Sequence, residues 1–253
     1  MIIYTLIGVF FAFVMTLLGA SLVFFFKNPI SKKLNVIFYG LSGGVMMAST
    51  VWSLIIPSIN ASENYGKFSF VPALVGIILG ALFIVLLDFL TVKLKKQKNG
   101  LSKNMKLFIA VTVHNIPEGL AVGFAFGIAI FSNSMALCMS ALSLAIGMGL
   151  QNFPEGAAIS LPMKAKYNSR FKAIMFGFYS AVVEPIASVI GIFLAKTLSG
   201  LYGYILGFSA GAMLYVLIEE LLPEAKLDGK SKLGTWCFII GFCIMMILDV
   251  VFN

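Results

Sequence analysis

Eight stretches of this 253-residue chain run for about 20 residues with scarcely a charge, the length a helix needs to cross the hydrocarbon core of a bilayer. They lie at approximately 3–26, 35–58, 71–92, 106–130, 134–161, 172–195, 200–222 and 233–252. Lipid offers no water to backbone N–H and C=O groups, so a spanning segment must be a helix or part of a closed barrel. Barrel strands alternate apolar and polar residues, and these runs do not. The polar alternative fails on composition. Apolar residues make up 60% and charged residues 11%, against roughly 45–50% and 25% in soluble domains. The expected fold is all-α, a polytopic membrane protein of eight transmembrane helices. Only short loops of Asn, Ser, Gly and Lys separate the runs, so residues 1–253 are read as a single transmembrane domain. The first run lacks a basic leader and extends to Phe26, longer than a signal-peptide core, and is read as a retained span. Cys138, Cys237 and Cys243 lie within apolar runs, form no Cys-x-x-Cys pair, and read as packing residues.

Basic residues set the orientation. Sixteen of the 18 Lys and Arg residues fall in the odd-numbered loops: Lys27, Lys32 and Lys33; Lys93, Lys95, Lys96, Lys98, Lys103 and Lys106; Lys164, Lys166, Arg170 and Lys172; Lys226, Lys230 and Lys232. Only Lys67 and Lys196 lie elsewhere. The positive-inside rule puts the odd loops in the cytoplasm and both termini outside. The expected location is the cell membrane, as a multi-pass protein of a bacterial inner or plasma membrane. The net charge of +8 is then a topology signal, and no nucleic-acid partner is read from it.

The acidic residues behave oppositely. Asp88, Glu118, Glu155, Glu184, Glu219, Glu220 and Asp249 all fall within the spans. An ionisable group at the bilayer centre costs roughly 2.5–3.5 kcal/mol on insertion scales. No Lys or Arg lies deep in a span to neutralise them, so protons or metal cations must. At ~1.5 Å per residue, Glu118 lies ~18 Å from Lys106, Glu155 ~14 Å from Lys164 and Glu184 ~18 Å from Lys172. Three glutamates on successive helices thus reach one layer near mid-membrane. Glu220 and Asp88 lie toward the cytoplasm and Asp249 toward the outside. Carboxylates at three levels are what a cation path requires.

The fourth span reads His114-Asn115-Ile116-Pro117-Glu118-Gly119, and the fifth Gln151-Asn152-Phe153-Pro154-Glu155-Gly156. On a helix, positions i, i+3 and i+4 share a face. His114, Asn115 and Glu118 therefore form one polar face, and Gln151, Asn152 and Glu155 another. Pro117 and Pro154 lack an N–H, which frees the carbonyls of Val113 and Leu150. Such carbonyls are tolerated at membrane depth where they line a cavity or meet a cation. Imidazole nitrogen with carboxylate and amide oxygens, and no thiolate, suits Zn²⁺ and similar divalent ions, Cd²⁺ among them. A site for Mg²⁺ or Ca²⁺ alone has no use for His.

The paired motif, followed by Val183-Glu184-Pro185 in the sixth span, resembles the ZIP (Zrt/Irt-like) family of divalent metal transporters, and is most like its bacterial GufA-like branch. Gly43-Gly44-Val45-Met46-Met47 with Trp52-Ser53-Leu54 is similar to that branch's second helix, and Gly211-Ala212-Met213 with Glu219-Glu220-Leu221-Leu222-Pro223-Glu224 to its seventh. The resemblance covers essentially all eight spans. It implies a zinc transporter, not an enzyme, with a ZIP-type bundle and a binuclear metal centre. One site would use His114, Glu118, Gln151 and Glu155. The other would use Asn115, Glu118, Asn152, Glu155 and Glu184. Asp88, Glu219, Glu220 and Asp249 match entry or exit positions. The resemblance further implies a homodimer in membrane lipid and no cofactor beyond the transported ion. The first three helices would be related to the last three by an inverted repeat. The first, fourth, fifth and sixth helices would carry metal past the second, third, seventh and eighth. Two departures stand out. Asn152 is Asp in some relatives, and the third loop is Lys-rich rather than His-rich.

A divalent cation channel remains open, since carboxylates at several depths permit a pore. An intramembrane metalloprotease needs two His ligands, as in His-Glu-x-x-His, and this chain has one His. The glycines 119, 123 and 127, and 203, 207 and 211, form stripes that fit either tight static packing or a sliding face. The topology has a direct test. Cysteines introduced at Lys96 and Asn253 should label from opposite sides, position 96 from the cytoplasm. Labelling of both from one side contradicts the eight-span arrangement.

Overall fold

The computed structural model describes residues 1–26, 31–94, 103–225 and 232–252. Lys27, Lys95, Lys96, Lys98, Lys226, Lys230 and Asn253, which enter the topology reading, lie outside these. The described residues are helical almost throughout, with no strand among them. The first span is Ile2–Ser21 with one further turn, Leu22–Phe24. The second runs Lys32–Ser49, through a π-helical segment Thr50–Ile55, to Ile56–Asn60. The third is Phe70–Leu94, the fourth Lys103–Phe131 and the fifth Met135–Tyr167. The sixth comes in two pieces, Arg170–Ala181 and Val183–Leu198. The seventh runs Tyr202–Val216, through a π-helical segment Leu217–Leu221, to Leu222–Ala225. The eighth is Leu233–Phe252.

Several departures from the expected boundaries have identifiable causes. The sixth span breaks at Val182 because Pro185 has no N–H for the carbonyl of Ala181 and crowds it. Glu184 thereby falls in the first turn of the second piece. Both π-helical segments end just short of a proline, Pro57 in one case and Pro223 in the other. Each ring disturbs the carbonyl four residues back, Ser53 and Glu219, and a wider turn absorbs the disturbance. The fifth helix runs past its expected end at 161, through Pro162, until Asn168 closes it in the left-handed conformation (φ 47°). Lys164, expected in a loop, is therefore helical and buried, and its ammonium donates to the backbone carbonyl of Phe26 at the end of the first span.

Among the described residues, seven stretches are long and apolar enough to cross a bilayer. One of them, Arg170–Ala225, has 56 residues, ~84 Å if it were one straight helix and far more than a bilayer needs. The expected count of eight differs from seven only there. Helix direction divides it. Gly119, Gly123 and Gly127 meet Glu184, Ser188 and Ile192 in rising order, so the sixth span is parallel to the fourth. Gly76 and Gly80 meet Tyr204 and Phe208 in rising order, so the seventh is parallel to the third. Ile84 and Asp88 near the end of the third span share a cavity with Lys106 and Val113 near the start of the fourth, so those two are antiparallel. The chain must reverse between the sixth and seventh spans, at the 3₁₀ turn Ser199–Leu201.

The same register makes the first span parallel to the fifth and the second parallel to the eighth. These four parallel pairs are the most extensive helix contacts among the described residues. They sort into two groups, with the first, fourth, fifth and sixth spans in one and the second, third, seventh and eighth in the other. Exchange of the first span with the sixth, second with seventh, third with eighth and fourth with fifth maps pairs onto pairs and π segment onto π segment. The packing thus has the inverted pattern that no sequence identity reveals.

The glycine stripes lie inside these groups, which decides between their two readings. A Cβ on Gly123 would sit 1.9 Å from the Ser188 carbonyl oxygen, and one on Gly211 2.0 Å from that of Ile77. Both contacts are tight static packing. Large apolar side chains such as Phe10, Leu82, Leu86, Phe193 and Ile244 point outward, as a lipid-facing surface demands. Gly123→Val and Gly211→Val should each destabilise the purified protein by roughly 1–3 kcal/mol or more, read as a lower thermal midpoint in detergent. Gly200→Ala, where a Cβ meets nothing within 4 Å, should leave the midpoint unchanged.

Candidate metal centre

Helix geometry assembles the centre from two facing copies of one motif. The fourth and fifth helices are antiparallel, so the first residue of each motif faces the glutamate of the other. His114 Nε2 lies 3.3 Å from Glu155 Oε2 and 3.7 Å from Glu118 Oε1. Gln151 Nε2 donates to Glu118 Oε1 at 2.6 Å. His114 Nδ1 lies 3.3 Å from the Ala110 carbonyl one turn back, which fixes the ring. Pro117 and Pro154 sit within unbroken helices.

A second set of contacts in the layer faces the sixth span. Asn152 Nδ2 donates to Glu184 Oε1. Asn115 Nδ2 donates to the Ser180 carbonyl at 3.2 Å and to its hydroxyl at 3.3 Å. All seven predicted residues, His114, Asn115, Glu118, Gln151, Asn152, Glu155 and Glu184, come together, and none is more than 2% exposed. Ser180 is a residue the sequence reading does not single out, although a polar residue four positions before Glu184 in the same span was the available signal.

The layer is lopsided in its hydrogen bonding. Asn115 Oδ1, Glu118 Oε2, Gln151 Oε1, Asn152 Oδ1, Glu155 Oε1 and Glu184 Oε2 are buried without a partner. Every one is an oxygen acceptor. Buried polar atoms are normally paired, and each exception costs on the order of 1–3 kcal/mol. Six unpaired acceptors in one layer call for donors or cations. No three His, Cys, Asp or Glu side chains among the described residues converge closely enough to hold an ion as they stand. Amide N–H groups occupy the positions between carboxylates instead. Turning the Gln151 and Asn152 amides over would withdraw those donors and aim two of the six unpaired oxygens, Gln151 Oε1 and Asn152 Oδ1, in their place.

The remaining acidic residues flank this layer. Asp88, Glu219 and Glu220 line one cavity of about 80 Å³ together with Lys106, and Ala110 and Val113 bring its wall to within a turn of His114. Glu219 and Glu220 sit in the second π-helical segment. Asp249 is on the other side, buried, and accepts a 2.6 Å hydrogen bond from the Ser53 hydroxyl. Both line a cavity of about 450 Å³ with Trp52, Asn60 and Tyr202. Its inner wall includes Ala125 and Leu144, each seven residues, ~10 Å, from Glu118 and Gln151.

Known proteins resemble this chain. A family model described as the ZIP zinc transporter matches residues 102–249, which hold both motifs. The chain is 33% identical to the human protein named zinc transporter ZIP11, over 97% of this chain and 96% of that one. It is 31% identical to zinc transporter GufA of Myxococcus xanthus, over 88% and 89%. It is 26% identical to zinc transporter ZIPB of Bordetella bronchiseptica, over 97% and 80%.

The Asn152–Glu184 contact generates a prediction. With neutral His114, the layer carries −3 from Glu118, Glu155 and Glu184, one short of balancing two divalent ions. Asn152→Asp replaces an amide–carboxylate bond by two touching carboxylates and brings the charge to −4. In metal-free protein it should lower the thermal midpoint. With zinc it should recover the loss and raise occupancy of a second ion, measured by calorimetric titration. Two equally tight ions in the unmodified protein contradict this charge count.

Proposed function

The chain belongs to the ZIP zinc transporter family, and from that footing we propose that it moves divalent transition-metal ions, zinc foremost, across the membrane toward the cytoplasm. Members of this family are transporters and not enzymes, and this chain is a multi-pass membrane protein. The observation that carries the reading is the layer of six buried, unpaired oxygen acceptors beside His114. An ion arriving there gains ligands that nothing else in the molecule satisfies, which offsets the loss of its own hydration.

One ion is held by His114, Glu118, Gln151 and Glu155. A second, weaker position uses Asn115, Asn152 and Glu184, with Glu118 and Glu155 bridging. Asp249 and Ser53 receive the ion from the outer cavity. Asp88, Glu219 and Glu220 take it on the inner side. The basic odd-numbered loops put that inner side in the cytoplasm and both termini outside. The protein works as a homodimer in a cell membrane.

A carrier is favoured over a channel. The outer and inner cavities have no lining residue in common, and the buried Val122 and Met148 lie beside Glu118 and Glu184 on the outer side of the centre. Binding groups reached from one side at a time suit a carrier, whereas a channel needs a continuous path.

Glu118→Ala and Glu155→Ala should each abolish zinc uptake into proteoliposomes while leaving a folded protein with an unchanged elution profile. Uptake at the unmodified rate by either variant refutes the bridging role.

A further inference from the structure

The fifth helix carries one more donor on the face that leads into the centre. Leu144, Met148 and Gln151 are spaced i, i+4 and i+7, so they share that face. Leu144 lines the outer cavity and Gln151 belongs to the candidate centre. Met148 lies between them, 1% exposed. Its sulfur accepts a 3.5 Å contact from Gln151 Nε2, the same nitrogen that donates to Glu118.

Met148 also faces a void. A small cavity of about 10 Å³ is lined by Met148, Glu118 and Glu184 together with Gly8, Ala12 and Ser188. That is close to the smallest volume, roughly 10–15 Å³, that admits a single water-sized sphere. The unpaired Oε2 atoms of Glu118 and Glu184 belong to residues around it. The Ser188 hydroxyl donates to the Gly119 carbonyl at 2.9 Å, which leaves its oxygen lone pairs free. The polar atoms offered to a guest are carboxylate oxygens, a hydroxyl oxygen and a thioether sulfur. If Gln151 turns its amide oxygen toward an ion, its N–H contact to Met148 is given up and the sulfur lone pairs are freed.

We propose that the Met148 thioether is a metal ligand on the outer side of the centre, next to Glu118 and Glu184, and that it biases the protein toward thiophilic ions. The inference rests on the proposed transport site and adds to it a soft donor that neither the repeated motif nor the family match supplies. Thioethers bind soft and borderline ions and discriminate against hard ones. Cadmium should therefore gain most from Met148, zinc less, and manganese nothing. An ion stepping from the outer cavity would meet this sulfur before the carboxylates, so the preference acts at entry to the centre.

X-ray absorption at the cadmium edge, on the purified full chain loaded with Cd²⁺ alone, tests the ligand directly. A sulfur shell is expected in the unmodified protein and should vanish in Met148→Leu, a swap of similar volume that cores tolerate well. In binding competition, Met148→Leu should lower the cadmium-to-manganese affinity ratio by roughly tenfold, the scale on which such contacts act. Cadmium bound by oxygen and nitrogen only in the unmodified protein overturns the assignment of Met148, as does a sulfur shell that survives in Met148→Leu. Neither result touches the transport site. Failure of the unmodified protein to bind cadmium or zinc at all overturns the proposed site itself, and Met148 with it.

Discussion

Three glutamates and an imidazole, all but completely buried near the middle of a membrane with no lysine or arginine beside them, form the constraint to which the rest of the molecule answers. Among the described residues the buried lysine is Lys164, but it lies near the end of the fifth helix and is bound to the Phe26 carbonyl. Unpaired charge in so dry a place is costly. The protein meets part of that cost itself. Gln151 and Asn152 donate to Glu118 and Glu184, and His114 sits between Glu118 and Glu155. It leaves the remainder, six acceptor oxygens, without partners. A layer built only for stability would have been completed with donors. One that must accept and then release a cation has to be left short of them.

Holding such a layer open requires a scaffold that does not collapse onto it. Close backbone contact supplies the rigidity, with glycines letting the fourth helix rest on the sixth and the seventh on the third. All four parallel pairs bring together helices far apart in sequence, two pairs in each group. The centre lies wholly within the group formed by the first, fourth, fifth and sixth spans. Asp249, Ser53, Glu219 and Glu220 lie in the other group, across the boundary. The irregular helix is concentrated there too, with π-helical segments directly before Pro57 and Pro223. A centre on one rigid group and its approaches on another is the arrangement a carrier needs if the two are to shift relative to each other.

Much of this was legible in the sequence, and the reason differs from residue to residue. Glu118, Glu155 and Glu184 stood out because a carboxylate in an apolar run has no cheap explanation. The resemblance, carried by the repeated hexapeptide, put His114 and Glu155 in one site, and their contact across antiparallel helices comes from the structure. The break at Val182 and both π-helical segments were foreshadowed by Pro185, Pro57 and Pro223. What a proline does to the carbonyl four residues back, whether kink, break or wider turn, depends on neighbours that the sequence does not display. Lys164 read as a loop residue because the apolar run ends at 161, yet the helix continues through Pro162 to Tyr167. The glycine stripes fitted both a sliding face and a static one, and only the identity of the facing helix decided between them. Ser180 and Met148 went unread because Ser and Met are ordinary inside membrane helices. Their meaning comes from Asn115 and Gln151, which touch them.

The measurement that tests the account most directly is anomalous diffraction at the zinc edge from crystals of the unmodified protein grown with zinc. The account predicts a dominant peak among His114, Glu118, Gln151 and Glu155, and a weaker one toward Asn152 and Glu184. Peaks confined to the Asp249 cavity or the Asp88 cavity, with none in the layer between, would contradict it.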